Sequence, residues 1–223
     1  MILVSPSRES LVFTTERRGL SVGDIGISTF WLFFPCGYLS GRGKINLMGF
    51  ADPLTNLRQL KLTSGMTVVD FGAGSGAYTL PVAGLVAPAG KVYAVEIQKD
   101  LLETIKKTAE TDRLGEVVKP IWGDVEQQGG VGLADNLADA IIISNVLFQA
   151  KSMYTLALEA KRILKPGGKI LIIDWSESFA GVGPAVADVI KPEEIKKTFG
   201  SAGLLFVSEF QAGEHHYGLI FSK

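Results

Sequence analysis

The run Val69-Asp70-Phe71-Gly72-Ala73-Gly74-Ser75-Gly76 has the composition of a turn that cradles a ligand. Glycines are needed where a chain turns sharply and its backbone must approach a ligand with no Cβ in the way. A helix opening after such a turn aims its free N–H groups at whatever lies over it. Glu96 lies at the end of the apolar run KVYAVEI, next to its last residue and 20 residues beyond Gly76. A carboxylate there can accept hydrogen bonds from both hydroxyls of a ribose. Turn and acid together point to an adenosine-containing cofactor.

Two cofactors compete for that turn. GAGSGA satisfies the dinucleotide form G-x-G-x-x-G/A, which keeps a nicotinamide-dependent oxidoreductase open as an alternative. Three features favour S-adenosylmethionine (SAM). Asp70 lies two residues before the first glycine, where an acid would repel a pyrophosphate but could order a loop facing an ammonium group. Gly76 completes G-x-G-x-G. Gly123-Asp124-Val125 places a carboxylate where it could accept a hydrogen bond from an adenine amino group.

Methyl transfer from a sulfonium asks the protein for alignment, exclusion of water and, for a weak nucleophile, a general base. Base candidates belong at the carboxyl edge of an open α/β sheet. Asp174 ends an apolar strand there, with Trp175 as an aromatic wall. His215 and His216 open a returning strand at the same edge, and Tyr217 could stack on a planar acceptor. Alternation would send His215 and Tyr217 to one face and His216 to the other. These are the only two histidines, and Cys36 is the only cysteine. Neither an intramolecular disulfide nor a cysteine- or histidine-rich metal site can form, so no metal is expected.

The elements that must position these residues follow from periodicity. Asp52-Pro53 opens a helix through LTNLRQLKL, with Asp52 as N-cap. TVVDF (67–71) and KVYAVEI (91–97) are buried strands, and the glycine turn between them opens into a helix. Asp100 and Glu103 form a capping box for the next helix. VVKPIW (117–122) is a weaker strand because of Pro120, and residues 126–137 are a loop. ADAIIISNVLF contains the fourth strand. An amphipathic helix from Ser152 stops at Pro166-Gly167-Gly168, and KILIIDW (169–175) is the fifth strand. After a loop over 176–191 and a helix from Pro192, LLFVSEF and HYGLIFSK pair as a hairpin. The expected fold is α/β: a Rossmann-like, doubly wound, mostly parallel seven-stranded sheet with a C-terminal antiparallel hairpin strand.

VVDFGAGSG, VYAVEI, GDV, ADAIIISNVLF and LKPGGKILIIDW, in this order, resemble the successive motifs of class I SAM-dependent methyltransferases. The resemblance covers residues 53–223 and is nearest to the small-molecule branch that includes ubiquinone/menaquinone-type methyltransferases. It implies that Asp70, Gly72, Ala73, Gly74 and Gly76 shape the loop around the methionine part. Glu96 would hold the ribose, with Ile97 beside it, and Asp124 and Val125 would flank the adenine. Asn145 would line the sulfonium end. Beside what the resemblance implies, Gln149 is a candidate to face the acceptor. Ser144-Asn145-Val146-Leu147-Phe148-Gln149 departs from the Asn/Asp-Pro-Pro-Tyr/Phe signature of enzymes that methylate nucleobase amines or glutamine. A small-molecule acceptor is therefore expected, and a SAM-binding protein without catalysis is the remaining alternative.

Composition agrees with that reading. Hydrophobic residues make up 47% and charged residues 20%, with a formal net charge of -1. The even charge mix argues against a nucleic-acid partner. Residues 48–223 read as the methyltransferase domain and residues 1–47 as an arm or extension, with Met48 as an alternative start. Ile25–Leu39 is apolar but too short to cross a bilayer and is broken by Pro35 and Gly37. No stable membrane insertion and a cytoplasmic location are expected, with the acceptor, its reacting atom and the oligomeric state left open.

Overall fold

A computed structural model describes residues 51–179 and 183–223. The arm over 1–47, its apolar run and the alternative start at Met48 lie outside the described residues. Seven strands form one sheet: β1 (Thr67–Phe71), β2 (Lys91–Glu96), β3 (Val118–Trp122), β4 (Ala138–Ser144), β5 (Leu164–Trp175), β6 (Leu205–Gly213) and β7 (His216–Ser222). Their order is β3-β2-β1-β4-β5-β7-β6. β7 is antiparallel to both its neighbours, and the remaining pairs are parallel. This is the doubly wound sheet that the strand–helix alternation requires. Strand order reverses between β1 and β4, which opens a crevice at their carboxyl ends.

Helices cover both faces, which is why the central strands are apolar almost throughout. Val68, Val92, Ile142 and Leu171 pack with Leu57 of α1 (Pro53–Leu57), Val82 of α2 (Thr79–Val86) and Ile105 of α3 (Lys99–Thr111). Their sequence neighbours Val69, Ile141 and Ile172 point the other way. They meet Leu156 of α4 (Met153–Ile163) and Ile195 and Phe199 of α5 (Pro192–Ser201).

Local chemistry sets the element ends, in places differently from expectation. Asp52 does cap α1, accepting from Thr55 N at 2.9 Å. The helix then tightens into a single turn over Arg58–Leu60, and Lys61 ends it in the left-handed region at φ 52°. The capping box of Asp100 and Glu103 is not formed. α3 starts one residue earlier, at Lys99 behind Gln98, and Glu96 takes the amides of Ile97 and Gln98 that lead into it. Asp100 instead sits in the first turn, where a negative charge favours the helix dipole. α2 starts only at Thr79, since Gly72, Gly74 and Gly76 adopt φ of 69°, 55° and 90° and spend those residues on the turn. β5 begins at Leu164, ahead of the expected Lys169. Its Pro166-Gly167-Gly168 segment bulges out between the pairs Ala138↔Leu164 and Ala140↔Lys169. Pro120 is tolerated because β3 is an edge strand, paired with β2 alone.

One buried ion pair ties a loop of the site to the helix layer. Glu159 on α4 is fully buried and accepts from Arg162 Nε at 2.9 Å, Arg162 Nη2 at 2.7 Å and Gly129 N at 2.8 Å. Arg162 Nη1 continues to Leu133 O at 2.7 Å and Asp135 Oδ1 at 2.6 Å, so the 126–137 loop is clamped onto α4. Burial alone would raise the Glu159 pKa, but the bonds from Arg162 and Gly129 outweigh it and hold the carboxyl below its usual range. Stability from this group is therefore present above the ordinary carboxylate pKa and is lost as pH falls through the lowered one. Arg162→Met should leave Glu159 buried and unpaired and cost about 3 kcal/mol at pH 7 by urea denaturation. The gap to the parent should narrow as acid protonates Glu159; a gap independent of pH would mean that Arg162 acts by packing.

Candidate functional site

The carboxyl ends of β1 and β2 are joined through one side chain. Glu96, 7% exposed, accepts from Gly74 N at 2.9 Å on Oε2, and from Ile97 N at 2.9 Å and Gln98 N at 3.0 Å on Oε1. Gly72 N and Ala73 N both donate to Val95 O, at 2.9 and 3.0 Å. The glycine turn thus lies folded back over the end of β2. A Cβ on Gly74 would come no nearer than 4.0 Å to any atom, so the left-handed backbone rather than crowding calls for glycine there. At Gly72 both reasons apply, since a Cβ would lie 2.6 Å from Val146.

Asp70 lies under the turn, 2% exposed, and accepts from Thr79 Oγ1 at 2.6 Å. The bond closes the glycine loop from below by linking β1 to the first residue of α2. Burial pushes the Asp70 carboxyl up to about 6; the Thr79 bond opposes this, and the nearby Glu96 adds to it. Three neighbours carried no sequence signal: Tyr78, Asn56 and Thr79. Asn56 Nδ2 donates to the Tyr78 hydroxyl at 3.1 Å and to Ala212 O at 3.0 Å. Burial drives Tyr78 up to about 12. The partners of Asn56 lie 22 and 156 residues away, which no local pattern reveals.

Beyond β3, Asp124 accepts from Glu126 N at 2.9 Å and from Gln127 Nε2 at 2.7 Å, so both its oxygens help shape the loop. Ile97 is 56% exposed at the end of β2, next to the exposed Trp122, whose indole donates to Ile97 O at 2.9 Å. Val125 packs half-buried against the core.

On the other side of the crevice, Asn145 follows β4 in the left-handed conformation at φ 57°. Its N–H donates to Ile173 O at 2.9 Å, its carbonyl accepts from Gln149 Nε2 at 3.1 Å, and its Oδ1 is buried without a partner. Asp174 at the end of β5 is 1% exposed and accepts from Trp175 N at 2.8 Å. Burial pushes its carboxyl up to about 7 against the pull of the Trp175, Phe148 and Leu147 amides, and Oδ2 closes no hydrogen bond.

Neither histidine is solvated: His215 is 8% exposed and His216 3%. His216 lies against Trp175, ring centroids 4.2 Å apart, with both ring nitrogens unpartnered. Burial, with a smaller effect of His215, lowers it to about 4, so it is neutral at physiological pH. The alternation expected for this strand starts only at His216, the first residue of β7. His215 precedes it and is oriented by the loop after β5 instead. Tyr217 departs from the expectation of an acceptor-stacking ring. It points with Leu219 and Phe221 into the α4–α5 layer, and its hydroxyl donates to Ile190 O at 2.8 Å. Burial, with the charge of Asp174 next, raises its pKa.

The structure therefore brings Asp70, Gly72, Ala73, Gly74, Gly76 and Glu96 together at one half of the sheet edge. Asn145, Gln149, Asp174, Trp175, His215 and His216 gather at the other half, and Tyr217 is withdrawn into the core. Among the described residues no group of histidine, cysteine and carboxylate side chains could hold a metal ion. No described helix is long and apolar enough to cross a membrane.

Residues 69–172 match the family model described as a methyltransferase domain. The chain is 26% identical over 121 residues to a demethylmenaquinone methyltransferase of Geobacillus sp. (strain WCH70), covering 54% of this chain and 50% of that protein. It is 32% identical over 116 residues to a Sulfurisphaera tokodaii protein described as "Probable cobalt-precorrin-6B C(15)-methyltransferase (decarboxylating)", covering 52% and 57%. The chain thus spans about half the length of the curated relatives it matches. Among solved structures, a SAM dependent methyltransferase from Aquifex aeolicus superposes with a TM-score of 0.69 at 26% identity, covering 76% of this chain and 88% of that one. The [4+2]-cyclase SpnF superposes at 0.66 with 16% identity, covering 77% and 80%, which shows a shared fold alone.

The buried Asp70 makes the site measurable by pH. Its folded pKa of about 6 lies above the ordinary 3.8, so its charge costs stability above pH 6, and the cost is relieved as pH falls toward 4. Asp70→Asn keeps an acceptor for Thr79 and removes the charge. It should be more stable than the parent by about 3 kcal/mol at pH 8 in chemical denaturation, and the advantage should vanish near pH 4. A constant offset across that range would sink this account.

Proposed function

We propose, from the premise that the chain belongs to the class I SAM-dependent methyltransferases, that it transfers the methyl group of SAM to a small-molecule acceptor. The observation that carries the reading is Glu96 bridging the glycine turn and the end of β2. A carboxylate has about four acceptor sites, and Glu96 uses three on backbone amides. Oε2 therefore has room for one ribose hydroxyl, and a second would compete with Gly74 N.

The remaining residues suit SAM better than a dinucleotide. Asp70 sits directly beneath the glycine turn, where its negative potential disfavours a pyrophosphate and favours an ammonium group. Asn145 Oδ1 is a buried acceptor lacking a donor, and such an atom costs about 1–3 kcal/mol unless a ligand or water satisfies it. Asp70, Gly72, Ala73, Gly74 and Gly76 would hold the methionine part, Glu96 the ribose, with Ile97, Asp124 and Val125 at the adenine and Asn145 at the reactive end. SAM, when bound, supplies the electrophilic methyl group. What this chain contributes is alignment at the β1–β4 crevice and the buried side chains of Asp174, Trp175 and His216 at the edge over β5 and β7.

Fold alone does not establish catalysis, and the cyclase on the same fold illustrates why transfer has to be measured. Methyl-labelled SAM incubated with the full chain and a small-molecule metabolite extract should yield labelled products. SAM bound with no label transferred would leave a binding protein, and a melting temperature raised by NADH but not by SAM would favour the oxidoreductase. Glu96→Ala should weaken SAM tenfold to a hundredfold in calorimetry, the worth of about 1.5–3 kcal/mol in charge-assisted hydrogen bonds. Unchanged affinity would displace the ribose from this carboxylate.

A further inference from the structure

The cofactor residues proposed above come from the ends of β1, β2, β3 and β4, which leaves the edge over β5 and β7 to the acceptor. At that edge His215 Nδ1 lies 2.7 Å from Glu177 Oε1, in the loop just after β5. Ser176 N donates to His215 O at 2.9 Å, which docks the start of that loop on the start of β7. Phe179 stacks on the imidazole with centroids 3.8 Å apart and planes 22° apart, restraining its rotation. The His215 side chain is 11% exposed, whereas Glu177 is 58% exposed. Among the described residues no hydrogen bond engages Nε2 of the imidazole.

A carboxylate can only accept, so in the neutral imidazole the hydrogen must sit on Nδ1 and the lone pair on Nε2. A carboxylate that orients an imidazole in this tautomer prepares Nε2 to take a proton. Adjacent strands are about 4.8 Å apart, so the start of β7 lies roughly 10 Å from the end of β4. An acceptor of one or two rings spans that gap.

We propose that Glu177 and His215 form a general-base pair for an acceptor that gives up a proton, a hydroxyl in the simplest case. His215 is the catalytic residue and Glu177 its positioning residue. The inference rests on the methyl-transfer reading. The acceptor oxygen forms its bond to the methyl carbon as the sulfur–methyl bond breaks with its electron pair staying on sulfur. The hydroxyl proton passes to His215 Nε2. The resulting imidazolium keeps Nδ1–H on Glu177 and afterwards returns the Nε2 proton to water.

Two-bond ¹⁵N–¹H spectra of the full chain at alkaline pH read the tautomer directly, with His215→Asn assigning the signal. The parent should show Nδ1–H at His215. Glu177→Ala should revert to the commoner Nε2–H form, and Glu177→Gln, which keeps an acceptor, should retain Nδ1–H. Label transfer from SAM to the metabolite extract should fall about hundredfold or more in His215→Asn. In Glu177→Ala it should fall at least roughly tenfold and in Glu177→Gln markedly less, with SAM affinity in calorimetry unchanged in all three. Nε2–H in the parent, or full transfer by Glu177→Ala, overturns the proposal. If the parent transfers no label, the methyl-transfer reading fails and the base role with it, while an Nδ1–H spectrum would show the pairing itself intact.

Discussion

The carboxylate of Glu96 is the junction on which the edge of the sheet depends. Parallel strands end in a row beside helix starts, and each crossing leaves backbone N–H groups that the strands cannot satisfy. Glu96 gathers three of them: Gly74 from the turn after β1, and Ile97 and Gln98 at the approach to α3. Two turns that would otherwise move independently become one surface. The Asp70–Thr79 bond braces that surface from below, at the cost of a buried carboxyl that resists ionisation.

The antiparallel β7 gives the other half of the edge its character. A sheet of parallel strands alone presents only strand ends and the loops leaving them. Because β7 runs backwards, it opens at the carboxyl edge and places His216 opposite Trp175. His215 comes within reach of the loop leaving β5 for the same reason. Among the described residues, the buried side-chain atoms without partners are Asn145 Oδ1, Asp174 Oδ2 and both ring nitrogens of His216. All stand at the ends or starts of β4, β5 and β7. A folded chain tolerates such atoms where a ligand or water can complete them, since each costs about 1–3 kcal/mol otherwise.

Buried polar groups at this edge are supported by interactions far from it in sequence. Glu159 and Arg162 bind the 126–137 loop through three of its residues, and Lys223 Nζ reaches Lys161 O and Leu164 O at 2.7 Å, tying the chain end to the close of α4. The two apolar layers supply the cohesion against which the unsatisfied atoms are held.

Strand count, strand order class and the glycine turn with its acid were legible in the sequence because each rests on local chemistry. A β-branched apolar run, a glycine that must adopt positive φ and an acid at a strand end are properties of a few adjacent residues. The left-handed glycines 72, 74 and 76 and the burial of Val68–Phe71 follow from such patterns. What only the tertiary structure decided is partner choice. Asp100 read as the cap of α3, but the helix opens behind Gln98 and leaves Asp100 inside its first turn, while Glu96 takes the amides just before it and also captures Gly74 from another strand. Tyr217 read as an edge residue until β7 took its register on β5 and turned the ring into the α4–α5 layer. Glu177 looked like any loop glutamate, because its meaning depends on His215, 38 residues away. Hydrogen bonds and ring contacts form across distances that folding sets, and a sequence states which groups need partners without stating which ones they will meet.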